Sequence, residues 1–332
     1  MAAHNFKSLM KRLGKAGFKP AFANAAILPD WWDASCEGDA SLLPEIEIRI
    51  ARFLGTPLEV VHDPFAELSI PSYAGAQLRR VGNISRDRCA PAIHAATQIA
   101  SAALRNMEPV VMRMPPHDPH AWRASIETTR PALELSDMLR DLWRRGIPVL
   151  HLPNLPSPKF DGMATLIDGR PVIVLGHDHD EPFRLAFAIA HEVGHHVRGD
   201  CHPEQPIVDE HEMADDDSAM EQAAEAYARS VLTKDLVFPS IHARDAQDLA
   251  RKASAEAKTL NIDAAAVLWD WARSWERRGS TRERDFATRT VAVKALAKDV
   301  HGHETLRDAF EEHVRYTDAS ESDRDLLRSL MS

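Results

Sequence analysis

Phe187-Ala-Ile-Ala-His191-Glu192-Val-Gly194-His195 is the stretch on which the reading turns. HExxH on a helix places two imidazoles one turn apart on one face with a carboxylate beside them, the first half of a zinc-peptidase site. The run before it, Leu185-Ala-Phe-Ala-Ile-Ala190, is apolar on all sides and rich in helix formers, so the helix is expected to be buried. Gly199, four residues past His195, is expected to end it. The pentapeptide alone also suits a core helix whose histidines are merely hydrogen-bonded, so a third ligand has to be sought.

A catalytic zinc usually takes three protein ligands and leaves one position for water. The pattern HExxHxxGxxH would need glycine at 198 and a ligand at 201, where this chain has Arg198 and Cys201; Gly199 and His202 each come one residue late. The other source is a glutamate on a following helix. Glu221-Gln-Ala-Ala224-Glu225-Ala-Tyr227-Ala228-Arg-Ser-Val231-Leu232 supplies one, with Glu221, Ala224, Glu225 and Ala228 on a shared face whose small alanines allow close helix approach. Glu221 is the expected third ligand, and Glu225, one turn on, the expected hydrogen-bond acceptor for a ligand imidazole. The chemistry expected is hydrolysis with Zn2+ activating a water and Glu192 acting as general base. Tyr227, His196 and His202 are candidates for an oxyanion-stabilising or accessory role by chemistry only, and a regular helix turns His196 about 100° away from His195.

Taken together, Arg184-x-x-Phe187-x-x-Ala190-His191-Glu192-x-Gly194-His195 and Glu221-x-x-Ala224-x-x-Tyr227-Ala228-x-x-x-Leu232 resemble the ImmA/IrrE family of zinc metallo-endopeptidases. Upstream, Gly162 to Leu175 is similar to the strand pair that precedes the active helix in that family. Read physically, it is two apolar runs about Asp168-Gly169, a tight hairpin signal, with Pro171 suited to a sheet edge where an extended substrate could add. The resemblance covers roughly residues 146 to 235; a weaker likeness at Leu28-Pro-Asp30-Trp31-Trp32-Asp33 points to the long, regulator-like members. Ala186 stands where arginine is common, and Glu225 where asparagine or aspartate is common. The resemblance implies an α+β, mainly helical fold: a zincin-like, gluzincin-type domain with a small antiparallel sheet, flanked by helical N- and C-terminal regions. It also implies an enzyme that cuts an intracellular regulatory protein, a transcriptional regulator or repressor, or an antitoxin. The alternative is a regulatory protein that uses the same fold to recognise a partner or DNA without cleavage; retention of Glu192 favours the enzyme.

The rest of the chain bounds this reading. With 332 residues and 44% hydrophobic content it can bury a sizeable core and suggests two or three domains. The division expected is 1–145 (helical, a partner or DNA contact), 146–240 (peptidase) and 241–332 (helical). Cys36, Cys89 and Cys201 are far apart and form no CxxC, which fits a reducing cytoplasm. No run of 18 apolar residues and no apolar signal core appears, so neither membrane insertion nor secretion is expected. A net charge of −10 disfavours nonspecific nucleic-acid binding by the whole molecule. Local basic patches at Arg79 to Arg88 and Arg140 to Arg145 keep DNA as the weaker reading. Lys7, Lys11, Arg12, Lys15 and Lys19 decorate a helix whose Phe6, Leu9, Met10 and Leu13 fall on one side, read as a helix packed on the domain.

Helices are expected near 4–15, 43–54, 90–106, 117–129, 131–145, 243–259, 263–278, 283–299, 303–315 and 320–331. Glu45-Ile-Glu-Ile-Arg-Ile50 alternates like a strand, yet the length of the segment and Gly55 favour helix. The proline-rich tract His151 to Asp161 is the expected entry to the peptidase region, and the acidic run Asp209 to Asp217 a solvated connector. Cys201 and His202 could serve as a removable fourth ligand. Leu268, Trp271 and Trp275 form a stripe expected to be core.

Overall fold

The structure, a computed structural model, describes residues 4–71, 77–78, 86–202, 206–209, 219–273, 282–296, 301–328 and 330. It opens with helices α1 (Phe6–Lys15), α2 (Pro20–Ala26), α3 (Leu43–Leu54) and α4 (Leu58–His62). In α3 the alternating isoleucines are decided by burial: Ile46 and Ile50 are fully buried while Ile48 between them is 49% exposed. A strand would put all three on one face; a helix separates the middle one by 200°. Gly55 caps α3 in the left-handed region at φ +65°. On α1, Phe6, Leu9 and Leu13 are buried and Arg12 donates to the carbonyls of Val60, Val61 and Ala66, so this helix packs on the molecule, as its pattern implies.

A short strand β1 (Gln77–Leu78) precedes the long helix α5 (Arg86–Asn106), followed by α6 (Pro119–Ser125) and α7 (Leu135–Arg144). Strands β2 (Val149–His151), β3 (Gly162–Ile167) and β4 (Arg170–Leu175) lead into α8 (Pro182–Arg198). Then come β5 (Ile207–Asp209), α9 (Ala219–Thr233), α10 (Ala246–Leu260), α11 (Ala264–Arg273), α12 (Arg282–Leu296), α13 (Gly302–His313) and α14 (Glu321–Arg328). The fold is α+β and mainly helical.

The sheet has the order β1-β5-β3-β4-β2 and is mixed. β3 and β4 form the expected hairpin, with Asp168 at φ +50° and Gly169 at φ +74°, the two left-handed residues that a two-residue turn matching strand twist requires. β5 continues antiparallel on β3, whereas β1 on β5 and β2 on β4 are parallel. This corrects the expectation that the strand at 171 to 175 is an edge open to substrate: β2 covers it through Val149↔Ile173, Leu150↔Val174 and His151↔Leu175. Pro171 is tolerated because it lies beyond the end of β2, where its missing N–H breaks no ladder. Val172, Ile173, Val174 and Leu175 are all buried, which needs cover on both faces; α8 and α5 both pack on β3 and β4 and supply it.

Termini and centre share one apolar cluster from Phe6 to Leu330. α14 packs on α2 and α5, α13 packs on α7 and β2, and α10, α11 and α12 pack mutually. Arg140, Arg144 and Arg145 each pair with an acid, Asp137, Glu127 and Asp141, so that basic patch is neutralised. Leu268 is buried and Trp271 is half-buried with Nε1 donating to the Ile241 carbonyl, as a core stripe should be. Trp275, the run Glu210 to Asp217 and most of the Arg79 to Arg88 patch lie outside the described residues. Among the described residues no helix is long and apolar enough to cross a membrane.

Candidate metal centre

α8 begins at Pro182, suited to a first helical turn, and ends at Gly199 with φ +74°. Its N-terminus is anchored by the C-terminal helices: Trp269 Nε1 donates to Glu181 at 2.9 Å and the Arg289 guanidinium lies 4.4 Å over the Trp269 ring. The N-terminal end of α13 closes on the same place, where a Cβ at Gly302 would meet Leu185 Cδ1 at 2.2 Å. Along α8, His191, Glu192 and His195 are all buried.

α9 crosses α8 at its smallest residues. A Cβ at Gly194 would come within 3.1 Å of Ala224 Cα, so glycine and alanine set the interhelix distance that brings Glu221 to the histidines. His191 Nε2 and His195 Nε2 face each other at 3.1 Å, and the Glu221 carboxylate oxygens lie 3.2 Å from the first and 3.5 Å from the second. Burial pushes the Glu221 carboxyl up, but hydrogen bonds from His191 and His195 outweigh it and hold the group below the usual carboxylate range. His195 is pushed up to about 9: burial lowers it, and Asp200 and Glu221 raise it more.

Two imidazoles and a carboxylate meeting at one point form a donor set for a divalent cation. Tetrahedral bonds of about 2.0 Å put neighbouring donors about 3.3 Å apart, the spacing found here. The residues present therefore fit a metal ion.

Glu192 sits beside this triad against the start of β3: a Cβ at Gly162 would fall 2.1 Å from Glu192 Oε1. That contact was not legible in the motif, since Gly162 reads only as the start of a hairpin. Asp200 was missed too. The left-handed turn at Gly199 folds the chain back so that His195 Nδ1 donates to Asp200 Oδ2 at 3.2 Å, leaving Nε2 for the centre. A carboxylate directly after the helix-ending glycine was the available signal.

Glu225 was assigned that orienting role, and the structure places it otherwise: its carboxylate pairs with Arg229 at 2.8 Å and Arg273 at 3.0 Å. Tyr227 points away from the centre, stacked on Trp122 with its hydroxyl donating to the Pro116 carbonyl at 2.8 Å. Six residues past Glu221, it is turned about 120° around the helix. His196 is buried against β4 with Nε2 at 3.1 Å from the Val172 carbonyl; burial pushes it down to about 4, so it is a neutral packing residue. His202 is exposed. Cys201 is buried with Ala164 and Ile207, and burial, with the charges of Glu192 and Asp200, pushes its thiol up, away from the thiolate that metal binding needs. None of these five contributes to the donor triad.

An HExxH helix on a small mixed sheet, crossed by a glutamate-bearing helix, defines a metallopeptidase-type domain. Residues 143–262 match the model of the IrrE N-terminal-like domain, Peptidase_M78, which supports the ImmA/IrrE resemblance for this part of the chain. The match runs from the end of α7 through α10, past the boundary at 240 expected from sequence. No curated protein matches the chain.

Proposed function

We propose that the chain is a zinc-dependent endopeptidase that hydrolyses a peptide bond in an intracellular regulatory protein, a repressor or an antitoxin. The observation that carries this reading is the convergence of His191, His195 and Glu221 with Glu192 buried beside them. His191, His195 and Glu221 would hold the ion, and when bound zinc would supply Lewis acidity and a water of lowered pKa. Glu192 takes the proton of the attacking water and returns it to the leaving amine. Asp200 fixes the tautomer of His195, and Gly162 gives the Glu192 carboxylate its place. The edge of β3 nearest Glu192 is held by β5, through Gly162↔Asp209, so an extended substrate has to reach the centre without adding directly to β3.

A protein that only recognised a partner or DNA would have no need of a carboxylate at 192, and the pairing of Arg140, Arg144 and Arg145 with acids removes one of the two basic patches from the DNA reading. The cytoplasm, where regulators are found and thiols stay reduced, is the proposed location; no disulfide joins Cys36, Cys89 or Cys201. The test compares wild type with Glu192→Gln on a proteome-derived peptide library and on small helix-turn-helix regulators. Cleavage in wild type, abolished in Glu192→Gln with metal content unchanged, supports the reading. Equal cleavage by both overturns it.

A further inference from the structure

A second cluster with the same donor chemistry lies in the N-terminal region. Glu47 on α3 is only 3% exposed, and its carboxylate faces two imidazoles from different elements. His4, directly before the residue that caps α1, brings Nε2 against Oε1, and His62, the last residue of α4, brings Nδ1 to 3.1 Å from Oε2. The two rings stand edge to face with centroids 4.7 Å apart. One donor atom from each of the three residues falls within 4.8 Å of the others, as in the His191, His195 and Glu221 triad.

Hydrogen bonding accounts for only part of this arrangement, the contact of His62 Nδ1 with Glu47 Oε2. His4 Nε2 and Glu47 Oε1 are buried and in contact, yet they make no hydrogen bond, and His4 Nδ1 is buried without one. A buried carboxylate requires compensation. The Arg12 guanidinium donates to the carbonyls of Val60, Val61 and Ala66 and acts on Glu47 only through space. A divalent cation would accept the carboxylate and both imidazoles at once.

We infer that His4, Glu47 and His62 form a second metal site, selective for zinc or a similar divalent transition metal, which pins the start of the chain to α3 and α4. Two imidazoles and one carboxylate suit zinc, and the exposure of His62, 69%, leaves a fourth position open to water. The site is structural: it adds a tie between elements that packing and the Arg12 hydrogen bonds already join.

The test is metal content of the full-length chain after gel filtration with a chelator of micromolar affinity. Wild type is expected to hold two zinc ions per chain. His62→Ala, on an exposed side chain that should not disturb folding, and Glu47→Gln are each expected to hold one and to keep peptidase activity, while His191→Ala/His195→Ala also holds one and His62→Ala/His191→Ala/His195→Ala holds none. One ion in wild type, unchanged in His62→Ala and lost in His191→Ala/His195→Ala, overturns the second site. One ion in wild type that is lost in His62→Ala and kept in His191→Ala/His195→Ala supports the second site and overturns the catalytic one.

Discussion

Replacing Gly162 with alanine separates catalysis from folding and metal binding in a single substitution. The added Cβ would stand 2.1 Å from Glu192 Oε1 and 3.1 Å from its Cδ, with no backbone atom among its nearest neighbours. To restore ordinary van der Waals contact the carboxylate must retreat by roughly 1 Å. The end of a glutamate can do so by a rotamer adjustment costing about 1 kcal/mol, and alanine recovers a similar amount because it suits a strand better than glycine does. Stability should therefore change little. Catalysis should not escape, since a general base displaced by about 1 Å loses on the order of 100-fold in rate, about 2.7 kcal/mol of barrier. The expected outcome is kcat down about 100-fold, with Tm within a few degrees of wild type and metal content unchanged. Undiminished kcat would refute the placement of Glu192 against β3 as the working position of the base, and loss of metal together with activity would show that the substitution acts through the ligands instead.

Asp200→Asn should weaken metal affinity by about 10- to 100-fold without removing a ligand, read by competition with a chromogenic chelator. Arg49, buried between α3 and α14, pairs with Asp325, Glu321 and Glu45; Arg49→Ala leaves the buried Asp325 only the longer Arg328 pair at 3.5 Å and should cost about 3 kcal/mol in urea denaturation, leaving metal content intact. His177 is pushed down to about 3 by burial first, then by His179, Arg184, His151 and His303 around it. The unfolded chain therefore binds a proton there that the folded chain refuses, so this stability term is whole above about pH 6.5 and is lost as pH falls toward 3. Wild type should lose about 2 kcal/mol more than His177→Gln between pH 7 and pH 5 in urea titrations.

Wherever local pattern and local burial coincide, the sequence is a good guide. α3 is legible over Leu43–Leu54 from Pro44, the isoleucine spacing and Gly55. The β3 and β4 hairpin is legible because Asp168-Gly169 suits one turn geometry, and α8 because a long apolar run ends at Gly199. β1, β2 and β5, of two or three residues each, are not legible. Such short strands exist only because β3 and β4 offer hydrogen-bonding edges, and nothing in three residues announces a partner far away in the chain.

The candidate centre divides in the same way. The HExxH spacing places His191 and His195 on one helical face whatever surrounds them, and a glutamate beside alanines on the next helix is recognisable as a ligand candidate from type and spacing alone. Orientation is a different matter. Whether Glu225 or Asp200 reaches an imidazole, whether Tyr227 faces the metal or Trp122, and whether Gly162 abuts Glu192 depend on how α8 rotates against α9 and on where the chain goes after Gly199. The same holds for His4, Glu47 and His62, separated in sequence and brought together only by the tertiary placement of α1, α3 and α4. Covalent spacing along one helix is a local property that sequence carries by itself; the meeting of side chains from different elements is set by packing, and only the tertiary structure decides it.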